Sequence, residues 1–342
     1  VSLAVNALSL SCIASGAMRI LIHNPKLPNN NFHLILSIWR ACLESLQLEA
    51  EIANAQSFHL AIRNFRPDIV LTIGGEQIPD YTFKTLREQK QFQWVLWTTE
   101  DPFEIAYHQT IAKYFDYVFT SDQMSQSLYD HPHCYYLPLA ADSELFFHPV
   151  IEHLEDLFYD LTFIGTAWPN RVQFLKNLVT QAKVYDLKIR FILPTNPYIP
   201  LDVTQEIGLH KFEHNFRVSP SDLATLQNYS LFTLTILRDF SADGKSRPQT
   251  SPTNRFFETA LAGTGQIFVS KETTITHFFP ELANSIYQCQ EVHEIIETIL
   301  AAKKTPVSRN LAAQKVQKFV LDHHSYAHRL QEILAKVSGK PI

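Results

Sequence analysis

Arg255 and Glu258 are the pair in this sequence with the clearest chemical promise. They lie three residues apart in Ser251-Pro252-Thr253-Asn254-Arg255-Phe256-Phe257-Glu258-Thr259-Ala260-Leu261-Ala262-Gly263, ahead of a strand-like run over 266–270. Ser251 as a cap, Pro252 at the first helical position and Gly263 as a left-handed terminator predict a helix. That helix would carry Arg255 and Glu258 on one exposed face, and Phe256, Ala260 and Gly263 on another, packed on a sheet. A helix N-terminus offers unpaired N–H groups and the positive end of a dipole, both suited to phosphate. The cation adds a phosphate contact and the carboxylate accepts from hydroxyls, so a diphosphate joined to ribose fits the description. A solvated Arg–Glu pair is equally an ordinary, weak surface feature.

The other candidates also follow apolar runs. In Phe163-Ile164-Gly165-Thr166-Ala167-Trp168-Pro169-Asn170-Arg171, Gly165 permits a tight turn and close backbone approach, Thr166 offers a hydroxyl, and Arg171 opens the next helix. Arg238 ends the run 233–237, where a guanidinium suits a pyrophosphate. The following loop, 239–250, holds Gly244, Lys245 and Arg247, read either as a phosphate-facing loop or as a solvated basic one. Glu100 and Asp101 are adjacent carboxylates ahead of Pro102, a costly arrangement unless solvated, paired or functional. One of the two is expected to have a raised pKa, as a general base needs. Asp101 equally reads as the N-cap of a helix opened by Pro102. His23, at the end of the first strand, is a rival base. Gly74-Gly75-Glu76 adds backbone and a carboxylate at a similar place. His324 and His328, one helical turn apart, have metal-binding spacing but no evident third ligand.

Several of these segments together resemble a known family. Arg-x-Phe-Glu-x-Ala-x-Ala-Gly before a strand is similar to the donor-binding helix of GT-B glycosyltransferases, most of all the CgeB-like (spore-maturation) branch. Trp97-Thr98-Thr99-Glu100-Asp101-Pro102, the Gly165-Thr166 strand end before Arg171, and His324-Ser325-Tyr326-Ala327-His328-Arg329 match further segments of that family. The resemblance runs from about Trp94 to Arg329 and weakens before it, where acceptor recognition would lie. It implies an enzyme moving a sugar from a UDP- or GDP-linked nucleotide-sugar to an unidentified acceptor. Glu258 would bind the ribose hydroxyls; Arg255, Arg238 and Arg171, with the backbone at Gly165 and Thr166, would hold the diphosphate. Asp101, or else Glu100 or His23, would face the acceptor hydroxyl as general base if the enzyme inverts. The chain contains no Asp-x-Asp motif, which favours a metal-independent mechanism with protein cations and the helix dipole at the leaving diphosphate. In one departure, Thr250 stands where many retaining relatives carry a second glutamate. A non-catalytic nucleotide- or sugar-binding protein of the same architecture is the alternative; a dinucleotide oxidoreductase is not, since no Gly-x-Gly-x-x-Gly follows any strand.

The elements that must position these residues alternate. Runs at 18–23, 68–73, 92–97, 117–120 and 135–137 read as strands separated by helices, beginning with one over 32–46. A second series reads at 159–165, 188–193, 230–237, 266–270 and 285–287, with helices over 292–302, 311–320 and 324–336. Such alternation predicts an α/β protein of two doubly wound, Rossmann-like domains facing across a cleft. The expected division is a loose extension at 1–17, an acceptor domain at 18–142, a linker at 143–157, a donor domain at 158–322, and a terminal helix at 323–342 packing back on the first domain.

Composition agrees. With 342 residues, 46% apolar and 18% charged, the chain can build two cores. A net charge of −5 without a Lys/Arg cluster gives no expectation of nucleic-acid binding. No segment approaches eighteen unbroken apolar residues, so no integral membrane segment is expected. Cys12, Cys42, Cys134 and Cys289 stand at neither metal nor redox spacing, which suggests free thiols and a cytoplasmic setting.

Overall fold

Two parallel sheets carry the molecule, as its alternating pattern requires. The structure is a computed structural model that describes residues 17–25, 32–75, 78, 80–194, 218–239, 245, 247–269 and 274–339. The first sheet contains β1 (Arg19–Asn24), β2 (Glu49–Asn54), β3 (Ile69–Ile73), β4 (Gln93–Thr98), β5 (Tyr117–Thr120) and β6 (Cys134–Tyr136), in the order β2-β1-β3-β4-β5-β6. Between them run α1 (Phe32–Arg40), α2 (Phe58–Phe65), α3 (Asp80–Gln89), α4 (Ile105–Ala112) and the short α5 (Gln123–Gln126). After α6 (Ser143–Phe146), the second sheet uses β7 (Tyr159–Ile164), β8 (Ile189–Ile192), β9 (Ser230–Ile236), β10 (Gly265–Val269) and β11 (Tyr287–Cys289), ordered β11-β10-β9-β7-β8. Its helices are α7 (Pro169–Val184), α8 (Pro220–Asn228), α9 (Asn254–Leu261), α10 (Thr274–Phe278), α11 (Val292–Lys304) and α12 (Pro306–His323), with α13 (Tyr326–Ser338) last.

Strands covered on both faces bury every residue, and β3 and β9 do so throughout, the threonines of β9 included. The strand order reverses between β1 and β3 in one sheet and between β7 and β9 in the other. Those are the crevices where an open α/β sheet binds ligand.

Four differences from the sequence reading have local causes. The strand β2 is absent from it because Glu49 and Glu51 of this edge strand face solvent, which breaks the apolar signal. The long helix over 32–46 is α-helical only to Arg40 and then widens into a π turn at Ala41–Ser45. The last strand begins at Tyr287 rather than 285, because Ser285 N–H donates to Leu282 O and closes a turn there. Ser251 does not cap α9, which starts at Asn254 with Thr253 at its N-cap position.

The chain passes between the sheets twice, and the two passages lie side by side, joined by a parallel bridge between Ala141 and Ser325. Beyond the second passage, α13 inserts Tyr326, Leu330 and Ile333 among Ile20, Ile22, Trp97 and Phe119 of the first sheet's core. The first passage is tied to the second sheet's helices by side chains that donate to its carbonyls. Asn228 bonds Pro149 O at 2.8 Å, Gln317 bonds His148 O at 2.8 Å and Asn310 bonds Glu152 O at 2.9 Å. Arg309, wholly buried, donates from Nη1 to Ile151 O at 3.1 Å and from Nε to Leu231 O at 2.9 Å. Gly263 ends α9 at φ +71° as its sequence predicts, and a Cβ there would lie 2.7 Å from His148 O. Cys42 and Cys289 are buried thiols and Cys134 is half-buried; Cys12 and the rest of 1–16 lie outside the described residues. Among the described residues no helix is long and apolar enough to cross a membrane.

Candidate functional site

At the second sheet's switch point, β7 ends in Gly165-Thr166-Ala167-Trp168 and β9 ends in Leu237-Arg238-Asp239. Arg171 spans the two. It donates from Nη1 to Thr166 O at 2.9 Å and from Nη2 to Ile236 O at 2.6 Å. Burial, with Arg238 nearby, lowers its pKa to about 9. This corrects the expectation that Arg171 points at a diphosphate: its guanidinium holds the walls of the crevice together. Gly165 allows that arrangement, since a Cβ would lie 3.3 Å from Arg171 Nη1.

Arg238 reaches across to the first sheet. Its Nη1 lies 3.4 Å from Glu100 Oε2, and its guanidinium is sandwiched 3.9 Å from the Phe103 ring and 4.1 Å from the Trp168 ring. Phe103 follows β4 and Trp168 follows β7, so the stack is built from both sheets.

Glu258, on the second turn of α9, is 2% exposed rather than on an open face. Its Oε1 accepts from Asn254 Nδ2 at 2.9 Å and is 3.3 Å from His33 Nε2; Arg255 Nη1 is 2.9 Å from Oε2. Burial pushes this carboxyl up, but Arg255, then His33 and Asn254, outweigh it and hold the group below its usual range. No side chain caps α9, although Phe256 N donates to the Thr253 carbonyl at 3.1 Å. Just upstream, Ser251 Oγ accepts from Gln123 N at 2.8 Å and Thr250 Oγ1 donates to Asp122 Oδ1 at 3.0 Å. Ser251 and Thr250 thus dock the start of α9 onto α5 of the first sheet.

The two adjacent carboxylates of the first sheet divide sharply. Asp101 is 1% exposed and accepts four hydrogen bonds at 2.7 Å, from Thr98 Oγ1, Thr120 Oγ1, Tyr129 Oη and His108 Nδ1. Burial alone would raise its pKa, but the bonds from His108, Tyr129 and Thr98 more than reverse this. Asp101 is therefore not a carboxylate of raised pKa, and its expected acceptor-facing position is corrected, because it is buried among its four donors. Nor does it cap a helix, since α4 begins only at Ile105. Glu100, its side chain 34% exposed, is the carboxylate at the cleft.

His23 is 1% exposed, its ring stacked 3.5 Å from that of Phe58 and its Nδ1 3.2 Å from Thr72 Oγ1. Burial, with His59 as a lesser cause, lowers its pKa to about 3. This corrects the reading of His23 as a solvent-facing base: its ring is buried against Phe58. His324 and His328 are both engaged at Nδ1, the first accepting from Arg329 Nη2 at 2.6 Å and the second from Ser325 Oγ at 2.7 Å in a capping box. Among the described residues no group of three or more His, Cys, Asp or Glu could hold a metal ion. Glu76 and Gly244 lie outside the described residues.

The crevice thus gathers Gly165, Thr166, Arg238, Arg255 and Glu258 from the second sheet against Glu100 from the first. It also holds three residues the sequence did not single out. Phe103 and Trp168 adjoin quoted motifs and could have been noticed as aromatics flanking a strand end. His33 stands on α1, 225 positions from its partner, with no local signal.

A sequence profile described as glycosyl transferase-like matches residues 143–335, more than half of the chain. No curated protein matches the sequence. Among solved structures, an alpha-glucosyltransferase in complex with UDP-glucose and DNA containing an abasic site is similar at TM-score 0.70 and 12% identity, covering 94% of this chain and 100% of that one. A sucrose-phosphate synthase from Thermosynechococcus elongatus is similar at TM-score 0.65 and 10% identity, covering 94% and 99%. Anabaena HepE in complex with UDP-glucose is similar at TM-score 0.62 and 12% identity, covering 94% and 100%. At these identities the likeness is one of fold, the two-domain GT-B arrangement.

Proposed function

The chain belongs to the glycosyl transferase-like family, and from that premise we propose that it transfers a sugar from a UDP- or GDP-linked donor to an acceptor hydroxyl, without a metal ion. One observation carries this reading: two cations, a buried carboxylate and an uncapped helix start converge on the second sheet's switch point, opposite a carboxylate of the first sheet. Glu258 accepts from the ribose hydroxyls. Arg238 and Arg255, the start of α9 and the Gly165-Thr166 turn hold the diphosphate and stabilise it as it leaves. Arg171 keeps that turn in place. Glu100 faces the acceptor and takes its proton if transfer inverts the anomeric centre, with Asp101 fixing the turn that presents it.

Bound UDP-glucose in HepE and in the alpha-glucosyltransferase supports a nucleotide-sugar as donor. Assignment to the CgeB-like branch, a donor domain at 158–322, an acceptor domain at 18–142 and a cytoplasmic location belong to the same proposal. So does an acceptor other than nucleic acid, for which the net charge of −5 speaks.

The test is binding of UDP and GDP, then hydrolysis of their glucose conjugates without acceptor, in the wild type and in Glu258→Gln. Loss of charge-assisted hydrogen bonds, each worth about 1.5–3 kcal/mol, should weaken nucleotide binding roughly ten- to a hundredfold in the variant. Unchanged affinity in a folded variant removes the ribose role. Turnover that EDTA abolishes and Mn²⁺ restores removes the metal-independent mechanism.

A further inference from the structure

Glu258 is closely engaged in the crevice, and its engagement has a direction. A carboxylate offers about four acceptor positions, two on each oxygen. Both positions on Oε1 are taken, by Asn254 Nδ2 at 2.9 Å and by His33 Nε2 at 3.3 Å. Arg255 Nη1 stands against Oε2 at 2.9 Å as an ion pair without a hydrogen bond, so Oε2 still has a position to offer. A vicinal diol seated across a carboxylate donates one hydroxyl to each oxygen, so Oε1 must first give up a partner. Asn254 sits one turn before Glu258 on the same helix and makes the shorter bond. His33 is the longer contact, is 24% exposed, and comes from a helix of the other sheet. His33 is therefore the partner that leaves.

Resting on the reading of Glu258 as the ribose-binding carboxylate, we propose that His33 is a specificity-determining residue that competes with the ribose diol for Glu258. A ribonucleotide must displace it. A 2′-deoxyribonucleotide, with a single hydroxyl, fits the position left on Oε2 and leaves His33 where it is. The residue thus lowers the affinity for the diol while leaving the single-hydroxyl sugar untouched, and it makes occupancy of the second domain's site felt at α1 of the first.

The experiment uses the full chain and measures UDP and 2′-deoxy-UDP binding by calorimetry in the wild type, His33→Ala, His33→Gln and Glu258→Gln. Where UDP is not bound, GDP and 2′-deoxy-GDP replace it. A net hydrogen bond changes affinity by about three- to tenfold, so His33→Ala should bind UDP that much more tightly while 2′-deoxy-UDP changes less than about twofold. His33→Gln, which keeps a donor, should fall between the wild type and alanine. Damage to the fold weakens binding, so a tightening cannot come from a merely structural role. Weaker or unchanged UDP binding in His33→Ala, with the expected loss in Glu258→Gln, overturns this inference and leaves the ribose reading standing. A tightening equal for both nucleotides overturns the competition with the diol. Wild-type affinity in Glu258→Gln, or no binding of UDP or GDP by the wild type, overturns the ribose reading and this inference with it.

Discussion

Replacing Asp101 by alanine should cost the protein more stability than a single carboxylate usually carries. The wild-type group accepts four hydrogen bonds of 2.7 Å from Thr98, Thr120, Tyr129 and His108. Two of these losses can be softened, because Thr98 Oγ1 also lies 3.4 Å from Phe119 O and Thr120 Oγ1 also lies 3.4 Å from Asp122 O. Tyr129 Oη and His108 Nδ1 lose a charge-assisted bond inside the core. At roughly 1–3 kcal/mol for each such loss, the sum is about 4 kcal/mol, in the range seen when one half of a buried ion pair is removed. Asp101→Asn should cost about 1–2 kcal/mol, because its amide oxygen keeps the three hydroxyl donors and its NH₂ meets His108 Nδ1. Urea denaturation at neutral pH with an unchanged m-value measures both. Because the folded pKa of Asp101 is depressed, its contribution is whole above the ordinary carboxylate value of about 4 and fades as pH falls through the folded value. The gap between wild type and alanine should therefore narrow in acid. An alanine variant within about 1 kcal/mol of wild type would refute the anchoring role. A fully stable Asp101→Asn that has lost turnover would return Asp101 to the chemistry.

Two further outcomes follow from the buried groups. His23 titrates near 3 when folded and near 6.5 when unfolded, so from about 6.5 downward the unfolded chain gains a proton that the folded one refuses. Wild-type Tm should therefore fall between pH 7 and pH 5 more steeply than that of His23→Phe, which keeps the stack on Phe58; equal slopes would defeat the assignment. The difference is partial by construction, since burial and Arg329 lower His324 to about 3 as well. Gly263→Ala should destabilise by roughly 2 kcal/mol, because φ is +71° and the new Cβ meets His148 O at 2.7 Å. A loss under about 0.5 kcal/mol in denaturation would show that α9 ends with more freedom than this geometry permits.

The fold was legible because parallel strands covered on both faces leave runs dominated by apolar and β-branched residues, as in β3 and β9. β2 was not, since an edge strand with alternating glutamates carries the pattern of a surface. For the crevice, the strand-end positions of Glu100, Arg238 and Gly165 could be read, because a residue after a parallel strand has only one edge to face. Exposure could not. Asp101 and Glu100 are neighbours of like chemistry, yet one is sealed by Tyr129 and His108 and the other lies at the cleft, a distinction made by side chains from two other elements. Likewise the guanidinium of Arg171 was claimed by backbone carbonyls, which every residue possesses and no composition reveals. His33 belongs to the least legible kind, a contact between segments whose separation in sequence removes any periodic trace.

The placement of α13 bears on how the protein is made. Tyr326, Leu330 and Ile333 cover the same apolar surface that Ile20, Ile22, Trp97 and Phe119 present. A ribosome would release the whole first sheet, then the whole second, before the segment that shields the first emerges. For that interval the earlier half carries an uncovered greasy face, which is a demand on chaperones and a hazard at high expression. The second sheet has no such delay, because α12 precedes the return passage and closes on α9 through Val316 and Val320. A chain truncated after residue 323 should thus protect the second domain from protease while the first is still cut, an order of maturation opposite to the order of synthesis.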